Sequence, residues 1–321
     1  MDSPLISVII PAYNIDSYVK DCVNSVLSQE YQNYEIILVN DGSTDNTPKI
    51  CDQLEKAHPN IIKVLHQKNA GLSAARNNGI KRARGEYLAF IDGDDLVAKR
   101  FLSTLYEALE KTNSDIAVCG FHEFDKDNLP KTTKTATKMV TYDRVTATSK
   151  IIVCQENIDI IACNKLYKKA VFKNITFPVG ELHEDNLTTY KLYAAAKQIV
   201  VVDVSLYYYR QRSSSITAKQ DVLARLKQKE RAAKESIAYF KDDIALKQAA
   251  EVSYLLSLFG YLDNIAAGRI ENKGLWKETV LRIQKLSKTY RHNPFLTRKL
   301  KLYLKLVKVP SLYRIFRKIK N

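Results

Sequence analysis

Across the first 120 residues, short apolar runs alternate with stretches whose apolar residues recur every three or four positions. "ISVII" (6–10), "EIILV" (35–39), "IIKVL" (61–65), "EYLAFI" (86–91) and "DIAVCG" (115–120) are short, apolar and bounded by turn residues, which predicts buried strands. Between them Val19, Cys22, Val23, Val26 and Leu27 repeat at helical spacing, and Ile50 and Leu54 follow the turn "DGSTDN". Residues 72–83 and 96–109 predict two further helices. This alternation implies an α/β fold: a mostly parallel sheet with helices on both faces. Sheets of that kind take ligands at the carboxyl ends of their strands. Those ends carry Pro11-Ala12-Tyr13-Asn14, Asn40-Asp41-Gly42 and Asp92-Gly93-Asp94-Asp95, so acidic side chains gather on one edge.

Several classes of function lose support at once. No GxGxxG follows the first strand and no GxxxxGK[ST] occurs, which disfavours dinucleotide enzymes and P-loop ATPases. The five cysteines (Cys22, Cys51, Cys119, Cys154 and Cys163) form no CxxC pair and read as buried thiols of a reducing compartment. The net charge of +15 belongs mostly to the end of the chain. From Thr279 onward there are thirteen basic residues and no acid, while the rest holds 37 basic residues against 35 acidic ones. That location argues against nucleic acid as the partner. The start of the chain lacks the order of a signal peptide, and no 18 uninterrupted apolar residues occur. The expectation from the sequence is a protein of the cytoplasm, or one attached to a membrane from the cytoplasmic side. Arg298, Lys301, Lys305 and Lys308 form a basic stripe, with Leu296, Leu300, Tyr303 and Val307 on another face. A basic amphipathic helix of that kind can lie on an anionic membrane surface.

Three aspartates within four positions at 92–95 repel one another and call for either a solvated turn or a cation. Mg²⁺ and Mn²⁺ favour oxygen ligands, and often use one or two carboxylates together with substrate phosphates. Farther along, "GELHEDNLTTYKLY" sets Glu181, Glu184 and Asp185 at a predicted helix start, where any of the three is a candidate general base. Arg210 and Arg212 follow an aromatic strand, and arginines can pair bidentately with phosphate oxygens.

The chain resembles the inverting glycosyltransferases of family 2, through "SVIIPAYN" (7–14), "EIILVNDGSTDNT" (35–47), "NAGLSAARNNGI" (69–80), "FIDGDD" (90–95), "NKLYKK" (164–169), "HEDN" (183–186) and "YYYRQRSSSIT" (207–217). The resemblance spans roughly residues 5–217 and implies a GT-A nucleotide-sugar fold. It implies a nucleotide-sugar-binding half (1–120) and an acceptor-binding half of the same domain (121–217), while the helical pattern and charge of the remainder set apart a helical, basic C-terminal region (218–321) that carries none of these motifs.

The resemblance also assigns roles. Asp94 is the main metal ligand, with Asp92 facing the ribose or the metal shell and Asp95 capping the next helix or bracing the loop. Asp41 contacts uracil, which implies a UDP-sugar donor. Pro11, Tyr13, Asn69, Arg76, Arg210 and Arg212 line the donor, the two last arginines closing over its diphosphate. Asp185 is the base and Glu184 orients the acceptor or the loop. The expected activity is metal-dependent transfer of a hexose or N-acetylhexosamine to a saccharide on a lipid diphosphate carrier, in bacterial polysaccharide assembly. Two rivals remain at this stage: a non-catalytic protein that uses the basic charge to bind nucleic acid or membrane, and a phosphatase using "DGDD". Leu96 and Val97 after Asp95 break the DxDx[TV] context which that phosphatase needs.

Overall fold

The computed structural model describes residues 3–125, 138–153, 159–211 and 221–320. Its strands form one sheet: β1 (Ile6–Ala12), β2 (Tyr34–Asp41), β3 (Ile62–Gln67), β4 (Tyr87–Phe90), β5 (Leu96–Val97), β6 (Ile116–Phe124), β7 (Met139–Asp143), β8 (Lys165–Lys168) and β9 (Gln198–Arg210). The first helices are α1 (Val19–Leu27), α2 (Thr47–Ala57), α3 (Leu72–Arg82), α4 (Phe101–Thr112), α5 (Arg144–Ile152) and α6 (Asp185–Ala195). The chain separates into two compact units, one of Met1–Ala147 with Glu156–Ser213 and one of Thr148–Gln155 with Ser214–Asn321.

In the first unit the strand order is β3-β2-β1-β4-β8-β6-β9-β5, with β7 also paired to β9. The β3-β2-β1-β4 half is wholly parallel, as the alternation of runs predicts. The remainder is mixed, because β8 runs antiparallel between β4 and β6. Every residue of β1 is buried, so a near-continuous apolar run is the pattern this central strand requires, and its one polar side chain, Ser7, donates to Glu35 (2.7 Å). Ile9 lies opposite Ile37 of β2 and Phe90 of β4, which brings the carboxyl ends of the three strands to one edge. Helix α3 sits tightly on β1 at Gly79, where a Cβ would come within 2.4 Å of the Ile9 side chain. That close approach sets the height of Arg76, one turn earlier on the same buried face.

One predicted helix starts late. The pattern from residue 96 gives a helix, yet Leu96 and Val97 pair with Tyr208 and Tyr207 of β9, and α4 begins at Phe101. The cause is Asp95: its carboxylate accepts from the Arg210 backbone N–H (2.8 Å) and the Tyr207 hydroxyl (2.6 Å), drawing the following residues onto β9.

The second unit contains α7 (Val222–Tyr239), α8 (Ile244–Ala266), α9 (Lys273–Thr289), α10 (Arg298–Leu306) and α11 (Pro310–Lys320). Asp221, Asp243, Asn272 and Thr297 each cap the helix that follows by accepting a first-turn backbone N–H. Asp263 of α8 accepts from the Tyr313 hydroxyl and from Arg317, both at 2.6 Å, which fixes α11. The face carrying Leu296, Leu300, Tyr303 and Val307 departs from its expected role. All four are buried with Phe259 and Leu262 in this unit's own core, so that face has no surface to offer a membrane. Among the described residues, no helix is long and apolar enough to cross a bilayer.

Candidate active site

The donor edge is built from strand ends. Asp41, the last residue of β2, is 3% exposed. Its Oδ1 accepts from Gln67 Nε2 (2.7 Å) and the Ala70 N–H (2.9 Å), and its Oδ2 accepts from the Gly71 N–H (2.8 Å). The carboxylate thus staples the 69–71 loop to the sheet edge, a role that spacing alone does not reveal. Gly42 makes the approach possible: its φ is +67°, and a Cβ there would meet the Asn69 nitrogen at 2.6 Å. Tyr13, just past β1, is 48% exposed and offers an open aromatic face, while Pro11 is buried beside it.

The acidic turn follows β4. The Tyr207 hydroxyl lies against the Asp92 N–H (3.2 Å) while donating to Asp95, and the Asp95 N–H donates to the Asp92 carbonyl (2.9 Å). Asp95 is 1% exposed; burial, with Asp94 and Asp92 close by, pushes its carboxyl pKa up. It braces the turn, one of the two roles its position allowed. Arg210 was expected over the donor diphosphate. Its Nε donates to the Asp94 carbonyl (2.8 Å), and its guanidinium stacks on Phe124 (4.6 Å) and Tyr18 (5.1 Å), so it holds the turn in shape. Arg212 lies outside the described residues.

Beneath this turn lies Arg76, expected at the donor edge but 1% exposed. Its Nη2 donates to Asp92 Oδ1 (2.9 Å), and its Nη1 donates to Glu184 and to Asp185 Oδ1 (3.1 Å). The Cys163 sulfur (3.5 Å) and the Phe177 ring (5.2 Å) complete its surroundings. Burial disfavours its charge, but Asp92, Asp185 and Glu184 overcome that and raise its pKa well above the ordinary value. One cation therefore serves three carboxylates. For Asp185, burial outweighs the attraction of Arg76, so its carboxyl is raised above the usual range and binds a proton more readily. Asp185 Oδ2 accepts from the Ala162 N–H (3.2 Å), which fixes both carboxylate oxygens. Its side chain keeps 18% exposure against 7% for Glu184, so Asp185 is the more accessible of the pair.

Two neighbours were not read from the sequence as part of the site. Asn77, adjacent to Arg76 in "AARNNG", exchanges two hydrogen bonds with the Phe177 backbone (2.7 and 2.9 Å) and pins that segment against α3. Lys165 of "NKLYKK" is fully buried and donates to the Ile161 carbonyl and to Asn164 Oδ1 (2.6 Å), bracing the loop that supplies the Ala162 N–H. Burial depresses its pKa to about 8. Both residues lie inside motifs, yet nothing in their spacing announces a bracing role.

The acidic turn fits a hard divalent ion. Its oxygen donors are crowded, and Asp92 keeps 31% exposure. The nearby Cys22 is buried, and its thiol donates to the Asp92 carbonyl (3.5 Å), so it braces the turn from within. Among the described residues no three acidic, histidine or cysteine side chains form a closed metal cage. A Mg²⁺ or Mn²⁺ held by two carboxylates and completed by phosphates and water needs none.

Comparison with known proteins agrees with this architecture. The structure of S. aureus TarS 1–349 in complex with UDP-GlcNAc matches with a TM-score of 0.71 at 23% identity, covering 98% of this chain and 90% of that one. The fold is the GT-A fold, with a helical C-terminal region. The family profile described as "Glycosyl transferase family 2" matches residues 7–176. GlyG, a glycosyltransferase of Streptococcus pneumoniae, is 35% identical over 221 residues, 67% of this chain and 73% of GlyG. The poly(ribitol-phosphate) beta-glucosyltransferase of Bacillus spizizenii is 32% identical over 210 residues, 64% of this chain. The matched region spans under a third of the longer relatives' length. The chain belongs to glycosyl transferase family 2.

Proposed function

We propose that this glycosyltransferase moves a hexose or N-acetylhexosamine from a UDP-sugar to a saccharide acceptor, with inversion at the anomeric carbon. The observation that carries the reading is the single buried Arg76, which ties the donor-side Asp92 to Asp185. The open face of Tyr13 and the Asp41-stapled loop 69–71 supply a platform and a polar edge for uridine. Asp94 and Asp92 would hold Mg²⁺ or Mn²⁺, which when bound stabilises the negative charge of the departing diphosphate. Arg210 and Tyr207 keep the turn that bears those carboxylates in place.

In this scheme Asp185, ionised, takes the proton of the acceptor hydroxyl as that oxygen attacks C1 and the bond from C1 to the diphosphate oxygen breaks. Single displacement of this kind inverts the anomeric centre. Arg76 and the Ala162 N–H orient the carboxylate, and burial raises its affinity for the proton it must accept. Glu184 shares the guanidinium and fixes its position. The likeness to TarS, whose structure holds UDP-GlcNAc, supports the donor class. Similarity to the poly(ribitol-phosphate) beta-glucosyltransferase supports a role in cell-surface polymer assembly. The acceptor in this reading is a glycan on a lipid diphosphate at the cytoplasmic face of the membrane.

The test separates binding from chemistry. Asp185→Asn should leave UDP-sugar binding within about twofold while lowering transfer by about 10²–10⁴, the range general-base catalysis supplies. Transfer at the wild-type rate in that variant would remove Asp185 from the role of base.

A further inference from the structure

The tail helices bury the apolar face that their sequence advertises, and expose another. Of the twelve large apolar side chains exposed among the described residues, four fall between 302 and 315: Leu302 (46%), Val309 (47%), Leu312 (50%) and Ile315 (55%). Single exposed leucines are ordinary on protein surfaces, but four within fourteen residues, on α10, α11 and the link between them, are a concentration. Leu312 and Ile315 stand three apart on the outer side of α11, because Tyr313 is buried and Arg317 is held inward by Asp263. On α10, Leu302 shares the outer face with Arg298, Lys301 and Lys305, all exposed. Lys308 and Arg314 are exposed beside Val309 and Ile315. From Thr279 to the end no acid is present, and among the described residues none of Lys301, Lys305 or Lys308 has an acidic partner.

We propose that Leu302, Val309, Leu312 and Ile315 dock the protein on an anionic lipid surface. The aliphatic side chains enter the acyl boundary while the surrounding lysines and arginines contact lipid phosphates. The chemistry selects this occupant over others. A second copy of the chain would bring the same uncompensated positive charge against itself. Nucleic acid would satisfy the cations but leave four aliphatic side chains in water, and no exposed aromatic in this stretch offers a stacking platform. The buried face of Leu296, Leu300, Tyr303 and Val307 and the Asp263 anchor hold the exposed side chains rigidly outward, so little conformational freedom is lost on docking.

The experiment is flotation of the full chain with vesicles, without any sugar donor, so that it stands independently of the transferase reading. The protein should float with vesicles containing phosphatidylglycerol and remain behind with pure phosphatidylcholine. The triple variant Leu302→Gln, Leu312→Gln, Ile315→Gln should lose at least tenfold in partitioning with an unchanged melting temperature, since all three side chains are exposed. Lys301→Gln, Lys305→Gln, Lys308→Gln should lose about a hundredfold, each lysine contributing roughly a factor of five. Absence of wild-type flotation would overturn the proposal, and so would wild-type partitioning by the leucine and isoleucine variant. A dimer in light scattering that the apolar substitutions dissolve would assign these side chains to a second copy instead.

Discussion

Replacing Arg76 with Met keeps most of the side-chain volume and removes the guanidinium that bonds to Asp92, Glu184 and Asp185. Arg76 is 1% exposed, and its two nearest acids at the start of α6 are largely buried. Deleting one member of such a buried ionic cluster costs about 3–5 kcal/mol, because the remaining charges lose the counter-ion that compensates their burial. For a unit of about 200 residues this lowers the melting temperature by roughly 6–20 °C, at about 2–4 °C per kcal/mol. The loss should depend on pH. The folded-state pKa of Asp185 is already raised by burial, and Arg76 is the strongest influence pulling it down. Removing the guanidinium raises it further. A carboxyl with a raised folded pKa favours the folded protein below its unfolded value, about 4, and loses that contribution as pH rises through the folded one. The destabilisation should therefore be largest above neutral pH and shrink steadily toward pH 5. Differential scanning calorimetry of both proteins from pH 5 to 8.5, with chelator present, measures it. An equal difference in melting temperature at every pH would refute the electrostatic role and leave Arg76 as packing alone.

Other expectations follow from the same contacts. Tyr207→Phe strips the hydroxyl that donates to buried Asp95, costing about 1–3 kcal/mol in chemical denaturation and weakening Mn²⁺-supported UDP binding. A variant with unchanged stability would show that the hydroxyl is not needed there. Gly42→Ala forces a side chain into a backbone of φ +67° and against the Asn69 nitrogen. It should raise the KM for the donor several-fold with little change in kcat, and an unaltered KM would detach the 69–71 loop from donor binding.

Much of the donor half was legible because its signals are local. Five apolar runs mark five strands, and the carboxyl-end rule points to Asp41 and Asp92 from the sequence alone. What escaped was set by contacts distant in sequence. Arg76 sits 109 residues from Asp185, and helical periodicity gives no hint that a charged residue on α3 faces inward. The late start of α4 follows from Tyr207 and Arg210 drawing Asp95 onto β9, more than a hundred residues away. In the tail, the sequence marks one apolar face, Leu296, Leu300, Tyr303 and Val307, and packing with α8 buries that face while leaving Leu302, Leu312 and Ile315 exposed.

The account rests on a cation held by Asp94 and Asp92 beneath a nucleoside diphosphate, and calorimetric titration of UDP into the purified protein tests that most directly. Binding should be evident with Mn²⁺, fall at least tenfold when the metal is chelated, and show no metal dependence in Asp94→Asn. Equal UDP affinity with and without the metal, or no affinity for UDP in either state, would contradict it.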